Sequence, residues 1–135
     1  MSSSFTVITT ASHHFGDHEG MFEKEDPTAT FVGASHSTQF DVAGIDEGQQ
    51  SLLMFRSFNV NFRTNVLSIN GQVVERAISR SVEREWKTQL VVLPAGVVKA
   101  GANTVTIESR TRTGETEGNL DDFIVTDLVL QYAAS

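Results

Sequence analysis

The segment Asn65–Val74, with the sequence NVLSINGQVV, decides how the rest of the chain is interpreted. Residues 66–69 and 72–74 are rich in Val, Leu and Ile, which are residue types that favour strands. The Asn70-Gly71 pair between them suits a two-residue type I′ turn, because both central residues of that turn need a positive φ. This segment therefore predicts a β-hairpin.

Strand-like sequence continues outward from this hairpin in both directions. Apolar residues cluster in short runs that are bounded by glycine, proline or polar residues, as expected for strands separated by turns. The clearest runs are 51–62, 88–93, 103–110 and 123–132. In the last run, the side chains at even positions are expected to face the core. These are Ile124, Leu128, Leu130 and Tyr132.

The first fifty residues carry weaker signals. Short strands are expected at 5–9, 28–32 and 38–42, and a polar loop is expected over 13–26. Together the segments give about eight antiparallel strands and no amphipathic helix, which is typical of a sandwich or barrel. We therefore predict an all-β fold, with one jelly-roll β-sandwich domain over residues 1–135.

Four segments resemble the galactose-binding-domain-like jelly rolls, the architecture of many carbohydrate-binding modules. They are Asn65–Gly71 (N-x-L-x-I-N-G), Trp86–Pro94, Lys99–Ile107 (K-x-G-x-N-x-V-x-I) and Phe123–Leu130. They follow the order of the family, and the resemblance covers residues 51–132. It implies a non-catalytic, lectin-like module that binds carbohydrate. The family also contains purely structural or protein-contact modules, so the fold alone does not name a ligand.

The chain is acidic, with a net charge of −7, and the excess charge lies in residues 15–50. Its acidic residues there are Asp17, Glu19, Glu23, Glu25, Asp26, Asp41, Asp46 and Glu47. Nucleic-acid binding requires a basic face, so we expect no nucleic-acid partner. The acidic segment is expected to be solvated loop surface, and the alternative is a set of carboxylates around a calcium ion.

The chain contains no cysteine, which excludes disulfides, thiolate metal sites and cysteine nucleophiles. No apolar run approaches the roughly 20 residues that a membrane-spanning helix needs, so no membrane partner is expected. The first residues, MSSSF, lack the basic and apolar regions of a secretory signal. We expect a cytoplasmic protein, or one released without a classical signal peptide.

The candidate ligand-binding residues are Trp86, Arg110, Asn119 and Asp121. Sugar sites combine an aromatic face with polar groups that bind hydroxyls, and such groups commonly lie on loops at the end of a sandwich. Two structural alternatives accompany this prediction. Trp86 would pack over one end of the core, and Asp121 and Asp122 would each close a loop by accepting backbone N–H bonds.

The sequence contains no signature of an active site. Histidines occur at positions 13, 14, 18 and 36, but their spacing matches no common metal motif, so solvated side chains are expected. No Gly-x-Ser-x-Gly elbow is present. Adjacent carboxylates such as Asp121 and Asp122 point to opposite faces of a strand, which disfavours a shared substrate. We therefore expect no enzymatic activity.

Two functions from different classes remain. The first is carbohydrate binding, with a glycan or small saccharide as the partner. The second is a structural, self-assembling jelly roll that acts through contacts between copies of the chain, forming a homo-oligomer. The self-assembly function is favoured by apolar residues on both faces of 51–62, 90–93 and 123–130, because one face of a sandwich strand is usually polar and exposed to solvent.

Overall fold

The computed structural model of this protein describes residues 2–135. These residues form ten strands: β1 (Ser3–Thr9), β2 (His13–Phe15), β3 (Thr30–Gly33), β4 (Ser35–Val42), β5 (Ser51–Phe58), β6 (Val66–Ile69), β7 (Gln72–Val73), β8 (Trp86–Leu93), β9 (Gly101–Glu108) and β10 (Phe123–Ala133). Within residues 2–135, no helix is long and apolar enough to cross a membrane.

The strands build two sheets that face each other. Sheet A has the order β3-β2-β10-β5-β8, and β1 also pairs with β10. The long strand β10 pairs with β2 through its first three residues and with β1 through residues 128–133. Sheet B has the order β4-β9-β6-β7. All pairings are antiparallel except that of β2 with β3, and the predicted all-β jelly-roll sandwich is confirmed.

The predicted hairpin is present as β6 and β7. Asn70 and Gly71 have φ values of 54° and 80°, as a type I′ turn requires. The side chain of Asn70 also ties the hairpin to its neighbours, because its Nδ2 donates to the carbonyl of Val97 and its Oδ1 accepts the backbone N–H of Thr104. Local turn chemistry and long-range bonding therefore favour the same register.

The core lies between the two sheets and follows the two-residue period of the strands. In β9, Val105 and Ile107 are buried while their neighbours are not. In β5 the core-facing residues are the odd ones, Leu53 and Phe55. Further core residues are Phe15, Phe40, Val42, Val60, Leu67, Ile69, Leu93, Phe123, Val125, Leu128 and Leu130.

A β-bulge in β10 corrects one prediction. The register with β5 shifts between Thr126 and Val129, and Asp127 in between has a φ of 58°. The bulge exchanges the two faces of the strand, since one extra residue reverses the alternation. Ile124 therefore faces away from the main core, and the prediction that it shares a face with Leu128 was wrong.

Ile124 is nevertheless buried. It packs with Phe22 and Phe58 in a small cluster on the outer face of sheet A. Phe22 comes from the β2–β3 connection, which was predicted to be a polar loop. This connection therefore covers one end of the outer face of sheet A.

Candidate functional site

Four connections shape one end of the sandwich, which we call the loop end. They are residues 16–29, 59–65, 74–85 and 109–122. Loops at the end of a sandwich are held by rigid strands, and binding residues are disproportionately found there. Some polar side chains at this end hold the loops together by hydrogen bonds, and only the remaining polar groups are free to bind a ligand.

Asp121 fastens the loop 59–65. Its buried carboxylate accepts the backbone N–H groups of Asn61 (2.9 Å) and Phe62 (3.0 Å) and the amide Nδ2 of Asn65 (2.8 Å). Burial raises the pKa of Asp121, while the hydrogen bonds from Asn65, Phe62 and Asn61 oppose that rise. The sequence-based interpretation that Asp121 closes a loop through backbone N–H bonds is confirmed.

Asp122 fastens the other side of the loop end. Its Oδ1 lies 2.8 Å from His14 Nε2 and accepts the backbone N–H of His18, and its Oδ2 lies 2.8 Å from His18 Nδ1. Burial alone would raise the pKa of Asp122, but the hydrogen bonds with His14 and His18 lower it. The hydrogen bond with Asp122, followed by the charges of Asp122 and Asp17, raises the pKa of His18.

Gly16 allows this close approach. Its φ is 132°, and a Cβ at this position would lie 2.2 Å from Oδ1 and 2.9 Å from Cα of Asp122. A side chain would collide with the backbone as well as the carboxylate, so the contact between the two segments requires glycine.

Among residues 2–135, Asp17, His18 and Asp122 form a group that could hold a metal ion. One ligand atom from each lies within 4.8 Å of the others. Two carboxylates and an imidazole nitrogen suit a transition metal better than calcium, which takes six to eight oxygen ligands. The same atoms are joined by hydrogen bonds, since His18 Nδ1 lies 2.6 Å from Asp17 Oδ1. These bonds account for the arrangement without a metal.

Three other carboxylates of the acidic segment are engaged separately. Glu25 pairs with Arg84 at 2.9 Å, and Glu47 lies 3.7 Å from Lys99. Asp46 accepts the backbone N–H of Gly48. The expectation of loop surface therefore describes these residues better than a shared calcium site.

The structure brings three of the predicted ligand-binding residues onto one loop, 109–122. Arg110 donates to Glu108 (2.9 Å) and to the carbonyl of Gly114, and Asp121 is buried as described above. Asn119 is exposed. A ligand contact by these residues remains a prediction, but Arg110 and Asp121 already have structural partners.

Trp86 lies at the same end of the sandwich but on the outer face of sheet A. Its ring centroid is 5.1 Å from that of Phe58, and the guanidinium of Arg56 lies 4.7 Å from its centre on the ring face. Its exposed fraction is 36%. The ring therefore packs on the outer face of sheet A and not over the end of the core between the sheets, as the structural alternative expected, and it remains accessible to a ligand.

Phe62 is a residue that the sequence analysis did not select. It is half-buried and contributes to three depressions at the loop end, of about 320, 510 and 410 Å³. Asn119 and Arg112 line the third of these depressions, and Arg112 lies 5.1 Å above the Phe62 ring. The strand-like run 51–62 was interpreted as including Phe62, whereas β5 ends at Phe58.

The signal that could have identified Phe62 is the short polar motif that precedes it. Asn59 has a φ of 63°, a conformation in which asparagine is enriched, and it lies directly after the end of β5. Because the chain leaves β5 at this point, Phe62 lies in the loop 59–65. The half-buried ring of Phe62 is then a candidate surface on which a ligand could stack.

No family model and no curated protein sequence matches this chain. Among solved structures, the chain is similar to the CBM36-1 domain of a multidomain xylanase from the hindgut metagenome of Trinervitermes trinervoides. The TM-score is 0.52 at 13% identity, over 99% of both chains.

The chain is also similar to BpGH86A, a β-porphyranase of glycoside hydrolase family 86 from the human gut bacterium Bacteroides plebeius. The TM-score is 0.50 at 19% identity over 96% of this chain, which spans only 20% of that protein. At such identities the likeness concerns the fold. The chain therefore has a jelly-roll β-sandwich fold like that of the CBM36-1 domain, as its sequence predicted.

Proposed function

We propose that this chain is a non-catalytic carbohydrate-binding module whose ligand lies at the loop end. The observation that carries the proposal is the half-buried ring of Phe62, which is shared by three depressions. An aromatic face can receive the C–H side of a sugar ring while neighbouring polar groups bind its hydroxyls. Asn119 and Glu115 line one of these depressions with Phe62 and supply such groups.

The carboxylates at the loop end support binding rather than hydrolysis. A glycosidase needs two carboxyl groups that flank one bond of the substrate. Asp121 and Asp122 are directed to different partners, Asn61, Phe62 and Asn65 in one case and His14 and His18 in the other. Both carboxylates are thus engaged in holding the loops, which supports a module that binds its saccharide without cleaving it.

A glycan-array screen of the purified protein, with and without a chelator, tests this proposal. We expect reproducible binding to a related set of saccharides, and about a tenfold or greater loss for Phe62→Ala, because aromatic stacking is the main apolar contact. Phe5→Ala is the matched control, since Phe5 is 68% exposed on the outer face of sheet A.

The variant Trp86→Ala distinguishes the platform proposed here from the one predicted from the sequence. Loss of binding in Trp86→Ala with full binding in Phe62→Ala would place the ligand on Trp86 instead. An array without any reproducible saccharide, from a protein shown to be folded, would refute the carbohydrate proposal.

A second candidate function is self-association, and the outer face of sheet A favours it. Two rows of side chains run in register across β1, β10, β5 and β8. They are Val7–Val129–Met54–Leu90 and Phe5–Gln131–Leu52–Val92. Phe5, Val7, Leu90 and Val92 are 50–68% exposed, so this face is apolar and open.

The partner that fits this face is a second copy of the chain. None of the eight positions is charged, although the chain carries −7, so two copies can meet here without bringing carboxylates together. With strands about 4.8 Å apart and same-face residues about 6.8 Å apart, the rows cover roughly 260 Å². A weak specific interface needs roughly twice that area per copy, so the flanking rows must contribute and the dimer should be weak.

Sedimentation analysis over a concentration series tests this second function. We expect the average mass to rise towards that of a dimer at high concentration, and Leu90→Glu to abolish the rise. Val73→Glu is the matched control, because Val73 is 53% exposed on sheet B. A mass that stays monomeric throughout would exclude the self-association role.

A further inference from the structure

Three arginines converge beside Phe62. Arg63, Arg80 and Arg112 come from three different loops, and together with Phe62 they line the depression of about 510 Å³. The remaining lining residues are Asn61, Thr64 and Glu83. The charged side chains of this depression are thus three arginines against one glutamate, in a chain whose acidic residues outnumber its basic ones by 17 to 10.

These arginines differ from those that serve the fold. Arg84 and Arg110 each form an ion pair at 2.9 Å, with Glu25 and Glu108 respectively. Within residues 2–135, the guanidinium groups of Arg63, Arg80 and Arg112 form neither an ion pair nor a hydrogen bond. Their donors are therefore free for a ligand. At physiological salt, charges more than about 8 Å away are largely screened, so the local positive charge determines what enters.

The backbone that carries the arginines is held in place. Next to Arg63, Thr64 Oγ1 donates to the carbonyl of Thr111. Next to Arg80, Ser81 exchanges two hydrogen bonds with Val60: its N–H donates to the Val60 carbonyl (2.9 Å), and its Oγ accepts the Val60 N–H (3.0 Å). A fixed backbone leaves only the arginine side chains to be ordered when a ligand binds.

The stacking of Arg112 on Phe62 joins this charge to the proposed platform. The guanidinium carbon of Arg112 is 5.1 Å from the ring centre of Phe62. A sugar ring that lies against Phe62 would therefore place its substituents beside Arg112. Guanidinium groups bind planar or tetrahedral oxyanions through two parallel N–H bonds, which a neutral hydroxyl cannot accept.

From this arrangement we propose that the ligand of the loop end is an acidic saccharide, with a carboxylate or sulfate group held by Arg63, Arg80 and Arg112. This inference rests on the proposed carbohydrate-binding function and names its substrate class. The neutral part of the saccharide would extend over Phe62 towards Asn119. The two kinds of acidic group share the same chemistry of recognition, and the experiment distinguishes them.

Calorimetric titration with matched probes tests the inference. The probes are a galacturonic acid oligomer and its carboxyl-reduced form, a sulfated galactan oligomer and its desulfated form, and polyglutamate as a polyanion without sugar. We expect one acidic saccharide to bind at least tenfold more tightly than its neutral counterpart, with an affinity that falls as salt is raised. Arg63→Gln and Arg112→Gln should each remove about tenfold of that affinity.

The control for charge is Arg76→Gln, since Arg76 is also exposed but lies outside the depression. It should bind like the parent protein, and all variants should melt at similar temperatures. Equal affinity for the acidic and neutral forms of one sugar would overturn the inference and leave carbohydrate binding intact. Absence of binding to all four saccharides would overturn the inference, while the glycan-array screen decides separately on carbohydrate binding. Equally tight binding of polyglutamate, unaffected by Phe62→Ala, would show a non-specific charge effect and also overturn the inference.

Discussion

The carboxylate of Asp121 accepts hydrogen bonds only from uncharged amide groups, whereas the carboxylate of the adjacent Asp122 is hydrogen-bonded to two imidazole rings. The first arrangement holds the loop 59–65, and the second holds the segment that follows β2. The pKa of Asp121 is raised by burial in spite of its hydrogen bonds, while the pKa of Asp122 is lowered by hydrogen bonds that outweigh its burial. Neighbouring carboxylates can thus fasten neighbouring regions with opposite responses to pH.

The largest effect is expected from Asp121→Ala. Removal of this carboxylate leaves the N–H groups of Asn61 and Phe62 and the amide of Asn65 without their acceptor. We expect a loss of about 3–5 kcal/mol in the free energy of unfolding, because each buried unsatisfied donor costs roughly 1–3 kcal/mol. Urea denaturation at neutral pH measures it. Asp41→Ala, at an exposed position of β4, should change little, and a loss below about 1 kcal/mol for Asp121→Ala would contradict its anchoring role.

A somewhat smaller effect is expected from Gly16→Ala, which disturbs the contact with Asp122 and leaves the hydrogen bonds of Asp121 in place. The new Cβ would lie 2.2 Å from the carboxylate oxygen and 2.9 Å from the Asp122 backbone, so the two segments must separate. We expect a loss of about 2–3 kcal/mol in unfolding free energy from strain and steric overlap.

Gly96→Ala is the matched control for Gly16→Ala. Gly96 also has a positive φ, 82°, but a Cβ there would meet no atom within 4 Å. Its cost should be limited to backbone strain, of the order of 1 kcal/mol. Equal losses for the two variants in urea denaturation would mean that the contact with Asp122 does not constrain residue 16.

The smallest effect is expected in the pH dependence of folding stability. Its sign follows from the direction in which the fold shifts each pKa. The pKa of His18 is raised above 6.5, so its stabilising contribution is complete below that value and is lost as pH rises through the folded-state pKa. The lowered pKa of Asp122 gives a contribution that is present above 3.8 and lost as pH falls through the folded-state pKa. Asp121 has a raised pKa, so its ionisation lowers stability as pH rises above 3.8.

Thermal melting of the parent protein and His18→Gln between pH 5 and 9 measures the alkaline part of this response. We expect the melting temperature of the parent to decline above pH 6.5 relative to that of the variant. Thr64→Val is the reference, because it removes an uncharged hydrogen bond on the Asp121 side. Its destabilisation should stay constant over the same range, and parallel curves for the parent and His18→Gln would refute the coupling of His18 to Asp122.

Features of the fold that are determined by neighbouring residues could be predicted from the sequence, whereas features determined by strand pairing could not. The hairpin of β6 and β7 was predicted with its turn, since Asn70 and Gly71 carry the backbone requirement themselves. The side of sheet A on which Ile124 lies was not predicted, because the bulge at Asp127 depends on the pairing of β10 with β5. The parallel pairing of β2 with β3 was missed because residues 13–15, which form β2, were assigned to the predicted polar loop.

The site was predictable to a lesser extent. The residue types of Asp121 and Asp122, in a loop before a strand, were enough to indicate loop closure. Their partners lie about 60 and 104 residues away, which no sequence pattern reveals. The convergence of Arg63, Arg80 and Arg112 likewise depends on three loops meeting at one end of the sandwich.

The position of β10 has a consequence for the kinetics of folding. This strand lies inside sheet A, between β5 on one side and β1 and β2 on the other, and Ser3 pairs with Ala133. During synthesis, β1, β2 and β5 therefore leave the ribosome long before the strand that joins them. Closure of such long loops costs entropy before any contact compensates it, so folding is expected on the slow scale of all-β domains, milliseconds to seconds. Until β10 docks, the apolar edges of its neighbours are open to other strands, and a chaperone that shields them would act on this interval.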